Sequence, residues 1–293
     1  MSVRDWSKYI LLSLLWGSSF LWIKIAVQEI GPFTLVAFRI LFALLGFFIF
    51  FLITRPVLPS KSYAGAFLVM GLFNIAVPFV LISWSEKSIP SGMASVLNST
   101  APLWAIIISP IFIAEDRLTV KKVLGLALGF SGVMLMVSNQ LSSGIGNQAI
   151  APFTMLAATL CYASTAVFSR LKLAKLDPIA QTAGALTGAG LGIVPAAALV
   201  EGPIHLPQLP ITWIALVWLG LLGTFGAYLM YYSLIHNIGP MRATTVTYSI
   251  AMVGVLLGIL FLNETPDWRL FAGGALIIGG IMLVNFKKRE LVK

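Results

Sequence analysis

Two polar stripes lie within apolar segments of the chain, and their residue types and spacing suit recognition of a polar solute. Within each stripe the residues are spaced i, i+3, i+4 and i+7, which places them on one face of a helix. The stripes, 149 residues apart, comprise Ser95, Asn98, Ser99 and Pro102, and Thr244, Thr247, Tyr248 and Ala251. Because polar side chains in an apolar setting need partners, we predict that the stripes meet at a wet cavity, where Asn98, Thr247 and Tyr248 bind the solute. Hydrogen bonding between helices is the alternative.

Aromatic residues with polar tips form a second group of candidates. Trp16 and Ser19 share one face of the first apolar segment, and Asn74 and Tyr228 lie in the third and eighth segments. Such groups suit a substrate that combines an apolar or aromatic body with a polar head. We therefore predict that these four residues line the binding site.

Arg39 is a cation within an apolar segment. It lies seven residues after Pro32, or about 10 Å into a helix that rises 1.5 Å per residue. A cation at this depth is a functional candidate, here for a substrate carboxylate. The alternative is a structural arginine that snorkels or bonds main-chain carbonyls.

Two prolines interrupt these segments. Pro78 and Pro102 each remove a backbone donor and bend the helix that contains them. Because helix interruptions mark binding sites in transporters, we predict that both act as hinges. A static kink is the alternative.

The composition defines what must position these residues. Of 293 residues, 59% are hydrophobic and 10% charged, and mean hydropathy is +0.97. These values exclude a soluble enzyme and a disordered chain, and the single cysteine, Cys161, excludes an internal disulfide. We predict an all-α polytopic membrane protein with ten transmembrane helices. The predicted spans are 8–28, 32–53, 63–84, 91–113, 121–138, 151–171, 178–200, 211–234, 240–262 and 268–286.

Lysine and arginine are distributed unequally between the two ends of these spans. Of 19 such residues, 15 lie on the side of the N-terminus, whereas the opposite side has Lys87 and Arg269. The positive-inside rule then places both termini in the cytoplasm. Since topology accounts for the net charge of +9, we expect no nucleic-acid partner.

The two halves of the chain resemble each other at offsets of 146 to 149 residues. At an offset of 148, six residues are identical: Gly125, Ala127, Leu128, Gly132, Met134 and Leu135 match Gly273, Ala275, Leu276, Gly280, Met282 and Leu283. We predict five-helix repeats in residues 1–140 and 141–293 that form one membrane unit. Because five is odd, the second repeat enters the membrane inverted, as in many secondary transporters.

Several motifs are missing. We expect every Asp and Glu to lie in a loop or at a span end, which disfavours exchange of protons for a cationic cargo. No phosphate-binding Gly-x-x-x-x-Gly-Lys-Ser/Thr loop is present. Gly129-Phe130-Ser131-Gly132 resembles an intramembrane protease motif, but Ser131 aligns with Gly279 and the glycines suit helix packing. We therefore predict neither an enzyme nor a cofactor.

An ordered set of short motifs along nearly the whole chain resembles a known family. The motifs are Trp16-Gly17-Ser18-Ser19-Phe20 with Lys24, Pro32 with Arg39, Ala94, Pro102 and Glu115, Gly125, Gly129 and Gly132, then Gly239-Pro240, Glu264 and Gly279-Gly280. Together they resemble EamA-type proteins of the drug/metabolite transporter superfamily, and among these bacterial aromatic amino-acid exporters. The resemblance implies ten helices in two inverted repeats around a central cavity. The second half departs from the pattern, because Arg39 aligns with Ala185.

We therefore predict a secondary transporter that exports small metabolites, first among them amino acids, across the bacterial inner membrane by alternating access. Its partners are then a small-molecule substrate and membrane lipid. The sequence leaves the oligomeric state open, with a monomer as one option. Two alternatives remain. A transporter of phosphorylated metabolites or nucleotide sugars would use Arg39 and Lys24 against phosphate. A scaffold or lipid-handling protein would move no solute.

The polar stripe gives a first testable prediction. Asn98→Leu removes a polar group from the predicted site but suits a membrane helix, so transport should be lost while folded protein is retained. Uptake into proteoliposomes and the elution profile of the purified variant measure the two effects. Unchanged uptake would remove Asn98 from the site.

Overall fold

The computed structural model describes residues 2–56, 59–142, 146–203 and 206–285. In this part of the chain we distinguish ten helices and no β-strand. They are α1 (Val3–Ala26), α2 (Pro32–Thr54), α3 (Lys61–Glu86), α4 (Ser91–Phe112), α5 (Val120–Ser142), α6 (Asn147–Lys172), α7 (Pro178–Val200), α8 (Pro210–Ile238), α9 (Pro240–Ala243 and Val246–Leu262) and α10 (Trp268–Asn285).

The helices have the length and surface of membrane spans. Eight are long and apolar enough to cross a bilayer, and α9 and α10 contribute the shorter apolar helices Val246–Leu262 and Trp268–Val284. Large apolar side chains point outward, as in Phe48, Leu191 and Phe261, which are 61%, 71% and 66% exposed. Such a surface is stable only in lipid. The prediction of a ten-helix, all-α membrane fold is confirmed.

Local sequence signals explain where many helices begin. Pro32, Pro178 and Pro210 occupy first positions of helices, where a missing N–H costs nothing. Ser2 and Asp5 form a reciprocal capping box at the start of α1. This cap starts α1 at Val3, five residues before the predicted span.

Successive helices alternate in direction and define two faces of the bundle. The terminal face carries the N-terminus and the α2–α3, α4–α5, α6–α7 and α8–α9 connections. The capped face carries the remaining connections, whose acidic residues cap neighbouring helices. The charge bias predicts that the terminal face is cytoplasmic.

α5 and α10 form the most extensive helix pair, and glycines allow their close approach. A Cβ atom on Gly125 would lie 2.6 Å from the carbonyl oxygen of Gly280, and one on Gly132 would lie 2.5 Å from that of Gly273. In the sequence repeat, Gly125 corresponds to Gly273 and Gly132 to Gly280. The contacts are therefore reciprocal, as a two-fold axis between the repeats requires. The boundary between the two repeats, placed between residues 140 and 141, stays a prediction.

Four helices are irregular, two in each half, and their irregularities lie at or within about one helical turn of matching positions. α3 and α8 contain π-helical turns at Gly71–Ala76 and Trp218–Gly226. α4 is interrupted at 99–100, between the segments Ser91–Asn98 and Ala101–Phe112, and α9 is interrupted at 244–245. Such turns leave backbone groups unpaired within the helix and are frequent at functional sites.

The glycine contacts predict a contrast between two Gly→Ala substitutions. Gly65 lies in α3 with nothing within 4 Å of its Cβ position, so alanine there should be neutral or stabilise by about 0.5–1 kcal/mol. Gly132→Ala places a methyl group against backbone and should destabilise by about 1–3 kcal/mol. Thermal unfolding of the two purified variants in the same detergent measures the difference. Equal melting temperatures would contradict this account of the α5–α10 interface.

Candidate functional site

Arg39 of α2 is buried without a counter-ion. Its side chain is 5% exposed, and its Nε donates a hydrogen bond to Thr224 Oγ1 at 3.0 Å. The guanidinium carbon lies 3.9 Å from the centroid of the Phe79 ring. Thr224 donates its own proton to the carbonyl of Leu219, which orients its oxygen to accept from Arg39. Among the described residues, no acidic side chain pairs with Arg39, and its terminal nitrogens have no hydrogen-bond partner.

Aromatic residues from three helices surround this arginine. The hydroxyls of Tyr162 in α6 and Tyr228 in α8 interact electrostatically with Arg39. The ring of Trp16 lies 5.9 Å from that of Tyr228 and 5.1 Å from that of Tyr231, between centroids. We call these five residues the central cluster. It joins a cation to a continuous aromatic surface, and it contains the predicted site residues Arg39, Trp16 and Tyr228.

Ser19 and Asn74 engage in structural hydrogen bonds. Ser19 is buried and donates to the carbonyl of Leu15 in its own helix at 3.1 Å. Asn74 lies in the π-helical turn of α3, and its Oδ1 accepts from Thr165 Oγ1 at 2.9 Å. Thr165 is the repeat counterpart of Ser19. This contact supports the repeat alignment, whereas the predicted binding roles of Ser19 and Asn74 stay predictions.

Asn98 is the last residue before the interruption of α4, and its amide oxygen is buried without a hydrogen-bond partner. After it, Ser99 and Thr100 turn their hydroxyls to carbonyls of the preceding turn, at 2.6 and 2.7 Å. An unsatisfied buried carbonyl costs about 1–3 kcal/mol, which a donor from a ligand or water would recover. The position and the unmet acceptor suit the predicted binding role.

The two polar stripes meet at Ser95, whose hydroxyl lies 3.2 Å from the carbonyl oxygen of Ala251. α4 and α9 run antiparallel. In this register Asn98 of α4 lies opposite Ala251 of α9, which is one helical turn from Thr247. Asn98 and Thr247 are not hydrogen-bonded, because the Thr247 hydroxyl donates to the carbonyl of Thr244 at 2.8 Å. Tyr248 packs against the buried core. A solute between the stripes would therefore find the amide oxygen of Asn98 without a donor, whereas the Thr247 hydroxyl has already given its proton and can only accept.

The two predicted hinge prolines lie beside helix irregularities. Pro78 follows the π-helical turn of α3, and Pro102 lies in the first turn of the second segment of α4. The corresponding irregularities in α8 and α9 have no interior proline, so sequence reasoning missed them. The sequence does indicate the irregularity of α8, because glycines occur at 220, 223 and 226 within its π-helical turn.

Three carboxylates close the capped face, and each binds backbone amides at the start of a helix from the other half of the chain. The pairs are Glu201 with Phe33 and Thr34, Glu264 with Ser91 and Gly92, and Glu29 with Gln208 and Leu209. The oxygen–nitrogen distances for Glu201 and Glu264 are 2.6–3.0 Å. A carboxylate at a helix N-terminus satisfies unpaired donors and complements the helix dipole. These bonds hold the two halves together at this face.

α4 changes its chief partner at its interruption. The segment on the capped side, Ser91–Asn98, packs against α9, whereas the segment on the terminal side, Ala101–Phe112, packs against α6. Glu115, the repeat counterpart of Glu264, is exposed and has no hydrogen bond among the described residues. α4 and α9 therefore meet at the capped face and diverge towards the terminal face.

The terminal face is joined by an ion pair in the α4–α5 connection and by hydrogen bonds from α1 to the second half, such as Asn237 to Asp5 at 3.0 Å and Tyr9 with Ser249 at 3.1 Å. Asp116 lies 2.6 Å from Arg170 of α6. Hydrogen bonds from Ser109 and Arg170 hold the pKa of the Asp116 carboxyl below its usual value.

The burial of Glu86 was not expected from the sequence, which placed every Asp and Glu in a loop or at a span end. This residue lies at the end of a span as predicted, but it is 0% exposed, and both carboxyl oxygens are buried without a hydrogen-bond partner. The helix continues two residues past the predicted end at 84, and α1 packs over it. The segment therefore contains a buried acidic group that sequence reasoning missed, because burial depends on helix packing.

The fold and site define a multi-pass inner-membrane protein with a buried cation and aromatic cluster between two related halves. The model of the EamA-like transporter family matches residues 8–138 and 149–286, and the chain belongs to this family.

Three relatives cover nearly the whole chain. A protein of Archaeoglobus fulgidus named as an uncharacterized transporter is 29% identical over 98% of this chain and 100% of its own. The Escherichia coli inner membrane transporter YedA is 28% identical over 94% of this chain and 89% of its own. A Salmonella typhimurium protein named "probable amino-acid metabolite efflux pump" is 25% identical over 98% of this chain and 96% of its own.

A solved crystal structure has the same fold, with a TM-score of 0.68, 18% sequence identity, and coverage of 99% of this chain and 100% of that one. The predictions of family, fold and multi-pass membrane location are confirmed. The narrower likeness to aromatic amino-acid exporters, the absence of enzymatic activity and the individual binding residues stay predictions.

The caps at the capped face give a third prediction. Glu264→Gln weakens two charge-assisted hydrogen bonds to α4, and each such bond contributes about 1.5–3 kcal/mol. The substitution should therefore favour opening of the capped face. In a Cys161→Ala background, the alkylation rate of Ser91→Cys, a buried position, should rise. Glu115→Gln is the matched control, and an equal rise in both variants would contradict a lock at Glu264.

Proposed function

We propose that this protein is a secondary transporter that exports amino acids, neutral and aromatic ones in particular. The observation that carries the proposal is the buried guanidinium of Arg39, which has no counter-ion and faces an aromatic surface. A buried cation is costly unless an anion pairs with it, and a substrate carboxylate supplies that anion. The planar guanidinium matches a carboxylate with two parallel hydrogen bonds.

The rest of an amino acid suits the remaining groups. The rings of Trp16, Tyr228 and Tyr231 offer contact to an apolar or aromatic side chain. The unsatisfied amide oxygen of Asn98 is an acceptor, as an α-ammonium group requires. A zwitterion would therefore bring both charges to groups that lack a partner in its absence.

The packing supports a conformation that is closed at the capped face and opens towards the terminal face. With the terminal face in the cytoplasm, this conformation receives substrate from the cell interior. Release on the other side requires the bonds of Glu29, Glu201 and Glu264 to break. The inverted repeat supplies a second packing of similar energy, in which the terminal face is closed. The name of the Salmonella relative also supports export.

Transport of a phosphorylated metabolite fits less well. That alternative uses Arg39 together with Lys24, but Lys24 Nζ donates to the main-chain carbonyls of Glu86 and Ile89. A phosphate would then meet one cation rather than two, at a depth where each negative charge needs compensation. A scaffold or lipid-handling protein leaves the unpaired Arg39 and Asn98 without a physical reason.

The fourth prediction tests recognition of the carboxylate. Arg39→Gln keeps hydrogen-bonding capacity but removes the charge, and a hydrogen bond to a charged group contributes about 1.5–3 kcal/mol. The KM for amino-acid counterflow in proteoliposomes should therefore rise by about 10- to 100-fold. Arg242→Gln, at an exposed position, is the matched control and should leave the KM unchanged.

The assay uses labelled aromatic, aliphatic and charged amino acids, a decarboxylated amine and a sugar phosphate. Saturable flux of neutral amino acids, without flux of the amine, supports the proposal. Flux of the sugar phosphate alone would overturn it in favour of an anion transporter. No flux of any of these solutes would also overturn it.

A further inference from the structure

Glu86 is a buried acidic group that the proposed binding of an amino acid does not use. It is 0% exposed, and neither carboxyl oxygen accepts a hydrogen bond from a described residue. An ionised carboxylate in such a place loses its hydration and gains no donor, which is one of the largest penalties in protein energetics. The neutral, protonated carboxyl avoids most of that penalty. The described geometry is therefore that of a carboxyl group holding a proton.

The charged groups around Glu86 come from three elements. Lys24 of α1, Arg39 of α2 and Glu264 of the α9–α10 connection interact with it electrostatically. Lys24 directs its ammonium to the main-chain carbonyls of Glu86 and Ile89, at 2.9 Å from the latter, instead of to the carboxyl group. Arg39 belongs to the central cluster, and Glu264 caps α4. The α4 segment Ser91–Asn98 and the described half of α6 nearest Glu86, 147–159, contain no ionisable side chain.

We infer that Glu86 is a proton-binding site whose occupancy controls opening of the capped face, so that the pH on that side regulates transport. Its proton is held while the capped face is closed. Opening that face admits water to the carboxyl group, which then ionises and releases the proton. The proton is the only species that binds or leaves at Glu86. This inference concerns regulation of the proposed transporter and rests on its alternation between two conformations.

The position of Glu86 explains the link to opening. Glu86 ends α3, and five residues later α4 begins with the amides that Glu264 caps. Lys24 ties this connection to α1 through two main-chain carbonyls. Separation of α1, α3 and α4 at the capped face must therefore expose Glu86. By linkage, a proton bound more tightly in the closed conformation stabilises that conformation at low pH.

The first test measures opening without any substrate. Ser91→Cys introduces a thiol at a fully buried position whose amide Glu264 caps, and Lys87→Cys provides an exposed reference, both in a Cys161→Ala background. The rate of modification by a charged methanethiosulfonate reagent is measured at each pH. Dividing the rate of the Ser91→Cys protein by that of the Lys87→Cys protein removes the pH dependence of the reagent. Comparison with the same two thiols in a Glu86→Gln background removes the difference between their own titrations.

The fifth prediction is a pH dependence that Glu86 alone creates. One proton can change the ratio by at most about tenfold per pH unit, and we expect a rise of about tenfold from about pH 5.5 to about pH 8.5. Glu86→Gln, which mimics the protonated group, should hold the ratio low at every pH. Glu115→Gln is the matched control, because that carboxylate is exposed on the terminal face, and it should keep the rise.

Two outcomes would overturn the inference. One is a ratio that does not change with pH in the protein with Glu86 intact. The other is the same pH dependence in a folded Glu86→Gln variant, which would assign the titration to another group. Neither result depends on the substrate, so the inference can fail while the proposed function stands.

A second readout links the site to transport once a substrate carries flux. In the protein with Glu86 intact, acidification of the capped side should slow counterflow, because the bound proton favours the closed face, whereas the Glu86→Gln protein should be slow at every pH. The same pH dependence of counterflow in a folded Glu86→Gln protein would overturn regulation through Glu86. If no substrate is transported, the proposed function fails, but the alkylation measurement still decides the proton site.

Discussion

The rest of this structure depends on one constraint, which is that a polar group at membrane depth must find its partner within the protein. Lipid offers no hydrogen bonds, so an unpaired amide, carbonyl or charge is costly there. The long regular helices satisfy their own backbone. Where α2, α4 and α8 begin, a carboxylate from the other half of the chain supplies the acceptors, as Glu264 does for α4. The closed face is thus a direct consequence of capping.

The same constraint identifies the groups that are left without partners. Arg39 has a charge without a counter-ion, and Asn98 has an amide oxygen without a hydrogen-bond donor. Glu86 has a carboxyl group whose two oxygens have no hydrogen-bond partner. Each lies near a helix interruption or a helix end, where α3, α4 and α8 depart from regular geometry. Other buried side-chain oxygens, such as those of Ser83, Gln140 and Thr212, also lack a partner. For Arg39, Asn98 and Glu86, a ligand or a proton that is present for part of a cycle explains the unmet group. Here they belong to the proposed substrate and to the inferred proton.

Inverted repeats make this arrangement reversible. The contact of Gly125 with Gly280 and of Gly132 with Gly273 places a pseudo-two-fold axis between α5 and α10. Across that axis, the Glu264 that caps α4 corresponds to Glu115, which is exposed. The two faces of the bundle therefore have corresponding sequences, but the glutamate on the capped face binds a helix and the corresponding glutamate on the terminal face does not. Such asymmetry within a symmetric scaffold is what alternating access requires.

The sequence by itself determined the class of protein, the number of helices, the repeat and the family, because apolar runs of bilayer length permit little except helices. It also selected Arg39, Asn98, Trp16 and Tyr228, since polar and aromatic residues are conspicuous in apolar segments. Only the tertiary structure decided which of these are satisfied. Thr247 looked equivalent to Asn98 in spacing, but its hydroxyl bonds its own helix. Glu86 looked like a residue at a water-exposed span end, but helix packing buried it completely. Hydrogen-bond partners and burial depend on neighbours distant in sequence, and periodicity along one helix does not contain them.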